Sequence, residues 1–181
     1  TYGLSHTIEY DAETDKYFIV LEGAGVYLDR GMKKVVSKAL CVDGYNTSIV
    51  ARAEQTQEMN RELAITKEFQ VRPWLFKTLG ICHHQNFDTQ YHTIYSKLYQ
   101  PGSLQKIFQK NYKLTFYETV RIARNIAKGL KTLHAKGVVH RDLGIKNYLI
   151  NIPKGKPGRR KIVACIADFG RAELAKNIIP D

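Results

Sequence analysis

The sequence predicts an α+β fold, and three observations predict it. Between Lys16 and Leu40, short runs of β-branched and aromatic residues alternate with glycine turns, the pattern of antiparallel strands. Between Thr115 and Gly137, apolar residues recur at i, i+3, i+4 and i+7, the pattern of one long helix. Strand-like segments with a single helix fill the first half, and the longer helix follows them, which is the α+β order.

The elements follow in turn. "KYFIVLEGAGVYLD" (Lys16 to Asp29) reads as two strands around a tight turn at Gly23 and Gly25. "RGM" makes a second turn, and "KKVVSKAL" (Lys33 to Leu40) reads as a third strand. "IVARAEQTQEMNRELAITKEFQ" (Ile49 to Gln70) is rich in Ala, Glu, Gln and Leu and reads as a helix. "RPWLFKTLGICHH" and "YHTIYSKLY" read as two more strands joined by a polar loop, and "GSLQKIFQK" as a short helix. The long helix takes Val120, Ala123, Ile126, Ala127, Leu130 and Leu133 as its apolar stripe, with Gly137 as its stop. "VVH", "NYLINI", the basic loop "PKGKPGRRK" and the apolar strand "IVACIA" complete the series. Residues 1–181 read as one domain, without repeats, low-complexity tracts or an internal linker.

Composition narrows the class. The 181 residues suffice for one ordinary core. Hydrophobic residues make up 44%, so a globular chain is expected over a disordered one. No apolar run approaches the ~20 residues of a membrane span. The chain opens at Thr1 rather than at a methionine, which leaves room for a trimmed secretion segment. Cys41, Cys82 and Cys165 are sparse and odd in number, and read as small core hydrophobes in a reducing compartment. Lys plus Arg is 28 against 17 Asp plus Glu, a net charge of +11 that attracts phosphates, acidic protein surfaces or nucleic acid.

"HRDLGIKN" (His140 to Asn147) and the later "ADFG" carry the chemistry. Together, H-R-D-L-x-x-x-N and D-F-G form the catalytic-loop and metal-binding signature of phosphoryl transfer. That reaction needs a positioned γ-phosphate, an oriented hydroxyl and neutralised charge. Asp142 would orient the hydroxyl, and Asn147 and Asp168 would hold two Mg²⁺ ions. "VVSKAL" is similar to the V-A-I-K strand, with Lys38 as the lysine that reaches the α/β-phosphates. Glu62 is the expected partner of Lys38, because Ile65 then faces the core one turn on, and Glu58 is the runner-up.

The chain from about Tyr17 to Gly170 therefore resembles the protein kinase superfamily. The resemblance implies a small lobe of antiparallel sheet plus one helix, over about residues 1–97, and a reduced helical large lobe from about residue 98. It implies ATP with Mg²⁺ in the cleft between. Gly23, Ala24 and Gly25 would cradle phosphate, Ser96 would be the gatekeeper, and Lys97, Leu98 and Tyr99 would frame the adenine together with Leu149.

The sequence departs from the pattern in three places. Leu28 stands where a third glycine of the phosphate loop would be. Gly144 replaces the lysine usual in serine/threonine kinases, while Lys146 occupies the place tyrosine kinases fill with arginine; either position reaches the γ-phosphate. Eleven residues follow Gly170, with no A-P-E and no long activation loop, so Arg141 is expected to lack a phosphorylated partner. The sequence is read as a complete small kinase that needs no activation-loop phosphorylation.

That architecture is similar to type III secreted effector kinases of the HopBF family. The resemblance implies a monomeric serine/threonine kinase delivered into the host cytoplasm, with heat-shock protein 90 as its substrate. Effectors of the OspG and NleH kind are instead stimulated by a ubiquitin-charged E2 enzyme. The rival readings are a pseudokinase binding module and a small-molecule kinase. "KGKPGRRK" reads as a solvated hairpin tip rather than a nucleic-acid patch, since no aromatic residues interleave its charges. "CHH" (Cys82 to His84) reads as a strand end and turn.

Overall fold

The computed structural model describes residues 7–22, 26–30, 34–56, 64–65, 67–68, 73–86 and 89–178, with backbone alone at 29, 30, 34, 55, 56, 85, 86, 89 and 90. The chain forms two units: Thr1–Met59 with Thr78–Leu98, and Asn60–Lys77 with Tyr99–Asp181.

The first unit is an antiparallel sheet. Its strands are β1 (Ile8–Asp11), β2 (Lys16–Val20), β3 (Tyr27–Arg30), β4 (Lys34–Asp43), β5 (Asn46–Thr56), β6 (Thr78–Asn86) and β7 (Thr89–Lys97). They lie in the order β1-β2-β4-β5-β7-β6, and β3 pairs with another stretch of β4. Gly44 turns the β4–β5 hairpin at φ +58°, a backbone that hairpin turns require and glycine adopts freely.

Strand β5 corrects the sequence reading of Ile49 to Gln70 as one helix. Ile49 to Gln55 pair with β4 on one side, and Val50 to Thr56 pair with β7 on the other. The helix preference of Ala, Glu and Gln is worth under about 1 kcal/mol per residue. Two ladders of hydrogen bonds and the burial of Val50 and Ala53 outweigh it. Ala64, Ile65, Lys67 and Glu68 are helical, and Ile65 is buried as expected.

Strand β1 was not foreseen. It pairs with β2 through its backbone and reaches β6 through its side chains. Asp11 Oδ2 accepts from the Ile81 amide at 3.1 Å and from Thr14 Oγ1 at 2.6 Å. Glu9 Oε1 accepts from Arg52 Nη2 at 2.8 Å, and Glu9 Oε2 lies 3.1 Å from His84 Nε2. Burial pulls the Glu9 carboxyl upward, but the hydrogen bond and charge of Arg52, with Tyr95 and His84, hold it below its ordinary value. The core beneath comprises Phe18, Ala39, Cys41, Val50, Cys82 and Tyr95, with the Phe18 and Tyr95 rings stacked at 3.7 Å. Gly80 makes that packing possible: a Cβ there would stand 2.5 Å from Phe18 Cζ. Cys82 to His84 lie within β6 rather than at its end.

The second unit begins with β8 (Pro101–Ser103), α1 (Leu104–Gln109) and α2 (Phe116–Ala135). It continues with β9 (Val138–Val139), β10 (Tyr148–Asn151), β11 (Val163–Ile166), β12 (Glu173–Leu174) and a 3₁₀ turn at Ala175–Asn177. β11, β10 and β8 form one antiparallel sheet, and β12 pairs with β9. Ser103 caps α1, its hydroxyl accepting from the Lys106 amide. Thr115 and Glu118 form a reciprocal capping box at the start of α2. Gly137 follows α2 at φ +68°, the expected stop.

The buried face of α2 is rotated from the predicted stripe. Glu118, Ile122, Gly129 and Leu133 are buried, whereas Val120, Ala123 and Ala127 are exposed. Two residues with no apolar side chain explain the rotation. Gly129 admits the neighbouring elements: a Cβ there would meet Ile166 Cδ1 at 2.8 Å and the Trp74 carbonyl at 2.9 Å. Glu118 is buried because Arg160 meets it, with Nε–Oε1 at 2.6 Å and Nη2–Oε2 at 2.7 Å. That fork, first among its contacts, lowers the Glu118 carboxyl to about 2 against the pull of burial. The basic loop is therefore only partly the solvated tip expected: Lys154 and Lys156 are exposed, but Arg160 is an internal anchor.

Candidate active site

The site in the second unit is built on two short strand exits. β9 leads into His140-Arg141-Asp142, and β11 leads into Ala167-Asp168-Phe169-Gly170. Buried His140 ties these exits together. Its Nε2 donates to the Ala167 carbonyl at 3.0 Å, and its Nδ1 accepts from the Asp142 amide at 3.3 Å. Those roles fix a neutral imidazole with its proton on Nε2. Burial, the largest influence, keeps the ring below its ordinary pKa. Phe169 is fully buried against this ring at 5.3 Å.

Asn147 makes the second tie. Its Nδ2 donates to the Asp142 carbonyl at 2.7 Å and to Asp142 Oδ2 at 3.1 Å, and its backbone carbonyl accepts from the Ala167 amide at 2.9 Å. Lys146 Nζ lies 3.1 Å from Asp142 Oδ2. The Lys146 hydrogen bond, ahead of burial's opposing pull, and the Asn147 amide hold Asp142 below its ordinary carboxylate value. Asp142 is therefore an ionised acceptor with two donors on one oxygen.

Arg141 and Asp168 adopt φ of +59° and +64°. Such backbone costs a non-glycine residue on the order of 1–3 kcal/mol and collects at sites where geometry matters more than stability. Asp168 is half-buried, and its carboxylate makes no hydrogen bond or ion pair among the described residues. It follows Ala167, whose amide donates to the Asn147 carbonyl, and it offers the hard oxygen chemistry that a divalent cation takes. The residues present thus fit the metal that the signature implies.

Arg141, expected to lack a phosphorylated partner, is met by other groups. Its Nε donates to the Arg171 carbonyl at 2.7 Å, and its Nη2 lies 3.7 Å from Glu173 Oε2. Glu173 reaches it because β12 pairs with β9, placing Glu173 opposite Val139. The acidic residue soon after D-F-G was the available signal.

The remaining predicted residues fall as follows. Leu149 is half-buried on β10, opposite Cys165 and Ser103. Tyr99 is buried, and burial and then Cys165 push its hydroxyl pKa upward. In the first unit, Lys38 is half-buried on β4, Ser96 is buried on β7, Lys97 is exposed and Leu98 half-buried. Gly23, Ala24, Gly25, Glu58 and Glu62 lie outside the described residues.

Residues 28–179 match the family model for the protein kinase domain. Dual specificity testis-specific protein kinase 2 of Rattus norvegicus is 34% identical over 138 residues, covering 74% of this chain and 22% of that protein. Its Homo sapiens counterpart is 37% identical over 109 residues, covering 60% and 17%. Mitogen-activated protein kinase kinase kinase 3 of Arabidopsis thaliana is 30% identical over 169 residues, covering 84% and 26%. The chain spans about a quarter or less of the length of these relatives. With the paired catalytic-loop and D-F-G geometry and a family match over residues 28–179, this chain belongs to the protein kinase domain family.

Proposed function

We propose that the chain transfers the γ-phosphoryl group of ATP to a hydroxyl on a protein. One observation carries this reading: the Asp142 carboxylate is ionised and gripped by Lys146 and Asn147, each 3.1 Å from Oδ2. Oδ1 is left to accept the hydrogen bond of an incoming hydroxyl and orient its oxygen. Lys146 carries positive charge to the place where the transferring phosphoryl develops negative charge. Asn147 and Asp168 are the residues that would hold Mg²⁺. Held there, it would supply positive charge against the negative charge of the phosphates. His140 keeps the two strand exits in register and takes no part in proton transfer, since both its nitrogens are engaged.

The acceptor is proposed to be serine or threonine, and the dual-specificity name of the rat relative makes tyrosine the alternative. Delivery into a host cytoplasm and action on heat-shock protein 90 rest on the sequence resemblance alone, so that chaperone is one arm of the test. The chain is incubated with γ-labelled ATP, Mg²⁺ and either cell lysate or purified heat-shock protein 90, and labelled proteins undergo phosphoamino-acid analysis. Asp142→Asn should reduce labelling by about 10²–10⁴-fold with the melting temperature held. Equal labelling by both proteins would sink the reading.

A further inference from the structure

In the V-A-I-K signature the lysine follows a V-A pair and reaches the α/β-phosphates. The sheet of the first unit contains two strands that invite this reading. β4 carries Val35-Val36-Ser37-Lys38. β5 carries Val50-Ala51-Arg52-Ala53, which has the V-A pair but alanine at the lysine position. β5 is also the strand that pairs with β7 and the last described strand before the helical residues 64, 65, 67 and 68.

The cation within that segment faces the wrong way. Arg52 shares its face with Val50, which packs in the Phe18–Tyr95 core. Its guanidinium is committed to Glu9 at 2.8 and 3.3 Å and to the Tyr95 hydroxyl at 3.3 Å. The opposite face of β5 presents Ala51 and Ala53, so β5 offers no lysine there.

The neighbouring strand does. Register sets Lys38 opposite Ala51, and Ala51 opposite Ser96, the residue that the family resemblance puts at the nucleotide. Lys38, Ala51 and Ser96 thus form one row across β4, β5 and β7. Paired strands lie about 4.8 Å apart, so roughly 10 Å separates the backbones at the two ends. Lys38 is also the diagonal neighbour of Ala53, at roughly 7–8 Å. Both alanines stop at Cβ, and Ala53 is buried, so this face of β5 carries no long side chain of its own at these positions. The Lys38 side chain is half-buried and its ammonium makes no hydrogen bond or ion pair among the described residues, while its backbone amide donates to the Val26 carbonyl at 2.9 Å. Partial burial of an ammonium without an anion is unfavourable.

We propose that Lys38 supplies, from the adjacent strand, the phosphate-binding cation that the signature would place at Ala53. Its ligand is the phosphate chain of a nucleoside triphosphate. The assignment rests on the phosphotransfer reading above, and ATP affinity separates the two.

Lys38→Met and Lys34→Met are compared with the unaltered chain for ATP affinity, for kcat/KM with ATP, and for melting temperature. Lys34 is the other β4 lysine on this face by register, opposite Gln55. Lys38→Met should lose about 10²–10³-fold in kcat/KM, the usual cost of removing one such electrostatic contact. It should bind ATP more weakly and melt normally, while Lys34→Met stays within about threefold. Partial recovery on adding Ala53→Lys to Lys38→Met would support the row geometry directly. Unchanged ATP affinity and kcat/KM in Lys38→Met overturns the proposal, as does loss confined to Lys34→Met. If the unaltered chain binds ATP without transferring phosphate, the kinase reading fails and affinity alone decides Lys38. If it binds no ATP, both fall.

Discussion

In the catalytic loop, Asp142, Lys146 and Asn147 meet within one turn of chain, and the donor and acceptor of each hydrogen bond are at most five residues apart. In the sheet of the first unit, Glu9, Arg52, His84 and Tyr95 meet from four strands, and Glu9 and His84 are 75 residues apart. Both are partly buried charged clusters. The first is specified by spacing along the chain. The second exists only once the strand register is set, because a slip of one residue turns every side chain to the other face. The lysine proposed for the phosphates falls under the second kind of rule, and the proposed acid–metal set under the first.

The sharpest way to break that contrast is to attack the buried long-range pair between Glu118 and Arg160 in the second unit. Glu118→Gln leaves Arg160 buried without its charge partner. Removing one member of a buried pair costs about 3–5 kcal/mol, so a large fall in melting temperature is expected. Glu118→Gln should also flatten the acid limb. A carboxyl lowered from 4.5 to about 2 contributes stability that is present above pH 4.5 and lost as pH falls toward 2. Equal melting of the two proteins at pH 7 would mean the fork does not hold the basic loop.

Next in size is Gly129→Ala. The added methyl meets the Trp74 carbonyl and Ile166, and overpacking of this kind costs roughly 1–3 kcal/mol in chemical denaturation. Ala127→Ser, on the exposed face, should change little. The reverse order would restore the stripe predicted from sequence.

These two residues show where sequence reading stopped. Strands β2, β3, β4, β6, β7, β9, β10 and β11, with α1, α2 and the Gly137 stop, were legible, because local pattern and turn chemistry specify them. The α2 face was not, because it is set by a glycine and a glutamate whose burial depends on Ile166, Trp74 and Arg160. β5 was missed because alanine and glutamate favour helix when neighbours are ignored. β1 was missed because its two inward residues are carboxylates, whose burial is made tolerable by partners distant in sequence: Arg52, His84 and the Ile81 amide. At the site, Asp142, Asn147 and Asp168 were read from spacing, whereas the Glu173 contact to Arg141 required the β9–β12 pairing.

A smaller effect tests His140. Its pKa lies below the ordinary 6.5, so the unfolded chain takes the proton first as pH falls. The stability it contributes is therefore present above pH 6.5 and lost as pH drops through the lowered folded value. Phosphoryl transfer should fall over the same range, since a protonated Nδ1 would oppose the Asp142 amide. A flat rate and melting profile from pH 7.5 to 5 would remove His140 from its positioning role.

The smallest expected effect is at Glu173→Gln. The Arg141–Glu173 pair is half-exposed on the arginine side, and such pairs are worth about 0–1 kcal/mol. Melting should barely move, with transfer slowing by a few-fold because the Arg171 carbonyl still holds Arg141.

The most direct test of the phosphotransfer site is a Mg²⁺ titration of labelled-phosphate transfer by the unaltered chain and by Asp168→Asn. We expect the unaltered chain to saturate with Mg²⁺, and the variant to need far more of the ion or to show no transfer, at unchanged melting temperature. Superimposable Mg²⁺ curves would contradict the placement of Asp168 as a metal ligand and, with it, the reading of the two strand exits as one catalytic site.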